Sequence, residues 1–260
     1  MFQDDPPGPP PLEAPPSRPT AAPIEAGVRW RGVDLVLGVA LLLLGTVGVM
    51  AALLLSPRGE VGDLDGGGVP LVAVIVTLVF ELWMGVAVLL LAVMRRVPLR
   101  DLGFWRLPRW DRVVQALLGA YGVLIAYTFG LQLVQQWTGR DLSQFAEGNS
   151  LPMPEQEAFL VWGVLGVAVV LAAPVAEELF FRGLVFRAVA GIWRVLPAVV
   201  ISGVAFSLVH FNISVVLPFA VIGMIFAWAY RASGSLWTPI AAHAIFNGVS
   251  FVATVVQVQS

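Results

Sequence analysis

Between residues 35 and 256 the chain consists of apolar runs of about 20 residues each, broken by short polar stretches. A run of that length matches the hydrocarbon thickness of a bilayer crossed as a helix, and it is too long and too uniformly apolar for a membrane-barrel strand. The runs fall near 35–55, 69–94, 113–136, 158–176, 195–211, 213–230 and 236–256. Seven of them predict an all-α fold, a polytopic membrane helix bundle of about seven spans. The charged fraction agrees, at 12% against roughly a quarter in soluble domains. A net charge of −2 offers no field for nucleic acid, and zero Cys excludes disulfides, thiol nucleophiles and Cys-ligated metals. All 15 basic residues are Arg, and the lack of Lys beside so much Ala, Gly and Val points to a GC-rich, bacterial coding sequence.

Residues 1–27 carry 9 of the 19 prolines and almost nothing to bury, which predicts a disordered, polyproline-like tail ahead of a single polytopic domain over 28–260. The tail lacks the basic start and early apolar run of a secretory signal. Arginine sets the expected topology of a multi-pass cell-membrane protein. Arg29 and Arg31 precede the first span, and Arg95, Arg96, Arg100, Arg106, Arg109 and Arg112 fill the loop after the second. The 137–157 loop holds only Arg140 beside four acids. By the positive-inside rule the N-terminus and the 95–112 loop are cytoplasmic. The stretch 97–112 has the Arg and Trp content of an amphipathic surface segment, interrupted at Pro108.

Charged or ionisable residues within or against such spans are costly unless they meet a partner or water, so they mark candidate sites. They are Glu81 in span two, Glu177, Glu178 and Arg182 at the end of span four, His210 ending span five, and His243 with Asn247 in span seven. Glu81 has no motif partner, and its simplest reading is a core carboxylate. Glu178 and Arg182 stand four apart on one helix face, while Glu177 is turned by about 100°. Arg182 can therefore neutralise one carboxylate and leave the other available. His243 and Asn247 share a face in the same way, and the imidazoles of His210 and His243 are the chain's entire histidine content. Such a set can hold a divalent metal on one Glu and two His. It can equally activate water with Glu and one His while the other His and Asn hold an oxyanion. The HExxH zinc signature is absent.

The order Glu177-Glu178-x-x-x-Arg182, Phe206-x-x-x-His210 and His243-x-x-x-Asn247 on successive membrane helices resembles the CAAX prenyl protease and bacteriocin-processing (CPBP, or Abi) family of intramembrane proteases. The resemblance covers about 155–256. It implies an intramembrane endopeptidase cutting a membrane-associated or lipidated peptide. Glu177 would activate water with help from His210, Glu178 and Arg182 would hold the geometry, and His243 with Asn247 would stabilise the oxyanion. A zinc ion on Glu177, His210 and His243 is the alternative the family also implies. Two other readings stay open: a non-enzymatic immunity or scaffold protein, and a proton-coupled transporter using Glu81, Glu177 and the histidines. One geometric condition follows from the peptidase reading. His210 lies about 21 Å along span five, so Glu177 meets it only if the Glu helix continues well past residue 176 or span five tilts.

Overall fold

The structure, a computed structural model, describes residues 30–55, 71–146 and 159–259. The proline-rich tail expected over 1–27 lies outside them. Among the described residues there are seven long helices and no strand: α1 (Gly32–Leu55), α2 (Leu71–Met94), α3 (Trp110–Thr138), α4 (159–192), α5 (Val195–Leu208), α6 (Ile213–Ser233) and α7 (Trp237–Gln259). Six are long and apolar enough to cross a membrane. The seventh, α5, has only 14 residues, about 21 Å, which falls short of the bilayer core.

The largest departure from the sequence expectation is α4. It does not stop at 176 but runs to Ile192, carrying Glu177, Glu178, Arg182 and Arg187 inside a buried helix rather than at a cytoplasmic flank. Hydropathy ends the span there because it counts charges without seeing their partners. Arg187 donates through Nε to the Tyr230 hydroxyl, which in turn donates to the Leu102 carbonyl at 2.9 Å. The continuation meets the geometric condition: Glu177 lies 15 residues before the α4 end and His210 lies 15 residues after the α5 start, both about 22 Å deep.

The bundle is built around α4 and α6, the most buried helices, with α1 and α3 outermost. Outward apolar side chains such as Leu43, Leu44, Leu118 and Ile125 are exposed, as lipid-facing residues of a membrane bundle are. α5 and α6 form a tight antiparallel hairpin whose backbones nearly touch. A Cβ on Gly203 would stand 2.6 Å from the Ala220 carbonyl oxygen, and one on Gly223 would stand 2.9 Å from the Gly203 Cα, so both positions require glycine. At one end of the bundle Asp34, in the first turn of α1, accepts from Arg95 Nε at 2.6 Å just beyond α2. The start of α1 and the end of α2 therefore lie at the same end.

Candidate active site

The local shape of α4 sets out the site. Two stretches, Val167–Ala172 and Leu179–Phe186, are π-helical, and they flank the α-helical turn Ala173–Glu178. In a π turn each N–H reaches back five residues, and such turns cluster at functional sites. Ala173 N–H bonds the Ala168 carbonyl in this way. The next bond of the series would run from residue 174 to Val169, but Pro174 has no N–H. Asn247 Nδ2 from α7 fills the gap, donating to the Val169 carbonyl at 2.9 Å. Carbonyls of the second π stretch are also bonded from outside the helix, Phe181 by Ser202 Oγ at 2.9 Å and Gly183 by Trp30 Nε1 at 2.7 Å. Side chains of neighbouring elements thus satisfy buried backbone groups that would otherwise be costly.

Glu178 and Arg182 are completely buried behind the site. Arg182 Nη1 donates to Glu178 Oε1 at 2.9 Å, and Nη2 donates to the Gly223 carbonyl on α6 at 2.7 Å. The same Glu178 oxygen takes a hydrogen bond from His243 Nδ1 at 3.0 Å, so one carboxylate joins α4 to α7 while its guanidinium joins α4 to α6. Phe206 is the hub of the arrangement. Its ring lies 5.2 Å from the His210 ring and 5.5 Å from the His243 ring, and the Arg182 guanidinium carbon sits 4.9 Å from its centroid.

The hydrogen bonds fix which nitrogens are free. His210 Nδ1 lies 2.9 Å from the Phe206 carbonyl, which can only accept, so Nδ1 carries the hydrogen and Nε2 of the neutral ring keeps its lone pair. His243 is held in the same tautomer by the Glu178 carboxylate. Glu177 faces a cavity of about 490 Å³, which His210, His243, Asn247 and Phe206 also line. Its Oε2 is buried with no hydrogen-bond partner.

The six predicted site residues therefore converge in two layers. Glu177, His210, His243 and Asn247 border the cavity; Glu178 and Arg182 form the wall behind His243. His210 sits in the turn after α5 rather than on the helix. Asn247 has one of its two N–H bonds committed to Val169, a structural duty the sequence did not reveal. Glu81, read from the sequence as a core carboxylate, lines the same cavity as Glu177, and its Oε2 is likewise buried without a hydrogen-bond partner. Ser250 and Thr254 of α7 line the cavity too. The signal that would have found them is spacing, since 243, 247, 250 and 254 repeat at intervals of 4, 3 and 4 along one helix face. As for the divalent metal, no three His, Asp or Glu side chains among the described residues are arranged to hold one.

Residues 159–249 match the family described as type II CAAX prenyl endopeptidase Rce1-like. A curated relative, "Putative membrane peptidase YdiL" of Bacillus subtilis (strain 168), is 32% identical over 77 residues, 30% of this chain. That match spans 32% of the relative's own length. No solved structure matches the chain.

Proposed function

Residues 159–249 match the Rce1-like family of CAAX prenyl endopeptidases, and from that match together with the site we propose that the chain is a CPBP-type intramembrane endopeptidase working by Glu- and His-activated water. The substrate class is a membrane-associated or lipidated peptide. The observation that carries this reading is the convergence of Glu177, His210 and His243 from three separate segments on one cavity inside the bundle.

Water held by Glu177 and His210 Nε2 attacks the peptide carbonyl, and a carboxylate in an apolar, water-poor wall takes the proton efficiently. Glu177 then returns that proton to the leaving amine. With a proton taken up from solvent before the attack, His243 offers Nε2–H to the developing oxyanion while its Nδ1–H stays on the Glu178 carboxylate, as an acid orients an imidazole in other hydrolases. The second N–H of Asn247 is the other available donor.

Glu177→Gln and His210→Ala variants, purified in detergent, should lose cleavage of a labelled transmembrane model peptide and of a farnesylated CAAX peptide. Their elution volume and melting temperature should stay near those of the wild type. Unchanged cleavage of both peptides would refute the assignment. A second reading, proton-coupled transport, is favoured by the placement of Glu81 in the same cavity. On that reading Glu81→Gln should remove a proton flux in proteoliposomes as completely as Glu177→Gln does.

A further inference from the structure

The cavity is closed at one end of the bundle and carries two rows of polar groups among apolar ones toward the other. At the closed end, the segment between α2 and α3 runs beneath the turn joining α6 to α7. Leu236 N donates to the Gly103 carbonyl at 3.2 Å, Ser235 Oγ to the Arg106 carbonyl at 2.6 Å, and Trp237 Nε1 to the Phe104 carbonyl at 3.1 Å. Arg109 N donates to Thr238 Oγ1 at 3.0 Å. Leu102, Tyr230 and Leu236 are completely buried under this strap, and none of residues 95–112 borders the cavity.

At the opposite end the cavity reaches Ala146, exposed in the turn beyond α3. Two polar rows lead inward from there. On α2, Thr77 and Glu81 are one turn apart; on α7, Thr254 and Ser250 descend to Asn247 and His243 on a single face. Ser250 and Thr254 donate their hydroxyl hydrogens to carbonyls one turn back, at 3.1 and 3.0 Å, which leaves their oxygens as acceptors. Apolar side chains such as Leu165 and Phe251 line the cavity between these rows, and polar groups at this depth are stabilised where they face water or a polar chain.

We propose that these rows form the route by which an extended peptide segment, together with the hydrolytic water, reaches the site from the membrane face opposite the Arg-rich 95–112 loop. Given the arginine distribution, that is the extracytoplasmic face. The peptide as occupant rests on the peptidase reading; the sidedness does not.

The chain has no Cys, so each introduced thiol is the only one. Ser250→Cys and Thr77→Cys, on opposite walls, are probed in sealed proteoliposomes with a membrane-impermeant maleimide. Ala146→Cys and Arg100→Cys mark the two faces. The expected result is labelling of both wall positions from the Ala146 side alone, and labelling of Ala146→Cys but not Arg100→Cys in intact cells. Labelling from the Arg100 side, or only by a lipid-soluble maleimide, overturns the route, and the reverse pattern in cells overturns its sidedness. Because labelling needs no cleavage, a protein that labels as expected but leaves both model peptides intact removes the peptidase reading and keeps the route.

Discussion

The Phe206 ring touches His210 at 5.2 Å and His243 at 5.5 Å while Arg182 covers it, so a single aromatic side chain sets the spacing of both imidazoles. Behind it Glu178 is shared between Arg182 and His243, all three buried. Removing one member of such a pair strands the other charge, at about 3–5 kcal/mol, whereas replacing both partners with neutral side chains of similar volume is far less disruptive. Arg182→Met should therefore lower the unfolding free energy in detergent by about that amount, and the double variant Glu178→Gln with Arg182→Met should recover much of it. Cleavage should not recover, because a side-chain amide in place of the Glu178 carboxylate does not hold His243 as the charged group does. Equal stability of the single and double variants would contradict the pairing. The Glu178–Arg182 pair is legible directly from its i,i+4 spacing, but the link to His243, 65 residues away, has no local signature.

Within α4 the same limit operates on a whole element. An apolar window ends the span near 176, since three charges follow closely on a proline, and each of those charges reads as a solvated flank. In the folded chain Glu178, Arg182 and Arg187 have buried partners on α6 and α7, and Pro174 has its missing donor replaced by Asn247. The helix therefore persists for 16 more residues, to Ile192. Apolar length alone is sufficient for α1, α2 and α3, where few side chains carry charge, and fails where tertiary partners decide. A coupling follows from the proline. Asn247→Leu should destabilise by about 1–2 kcal/mol through the unpaired Val169 carbonyl. In a Pro174→Ala background, which restores an N–H at that position, the same change should cost measurably less. Additive melting shifts across the four proteins would show that Asn247 does not stand in for the proline.

For the molecule as a whole, the short α5 does not alter how the chain threads the membrane. α5 and α6 are an antiparallel hairpin, so the pair returns to the face it left whether or not the 14 residues of α5 reach the far side. The other five helices then put the two ends of the bundle on opposite faces. The Asp34–Arg95 ion pair sets the start of α1 beside the Arg-rich loop, and six arginines in 95–112 against one in 137–157 are the basis on which we propose that this face is cytoplasmic. Full-length chains carrying a fluorescent reporter at the N-terminus should fluoresce, since that reporter matures only in the cytoplasm. A phosphatase active only outside, fused to the C-terminus, should be active, and the exchanged fusions should both be silent. Fluorescence from a C-terminal fusion would mean that α5 and α6 part company in the membrane. The shared cavity could not survive that rearrangement, because His210 follows α5 while Arg182 is anchored to Gly223 on α6.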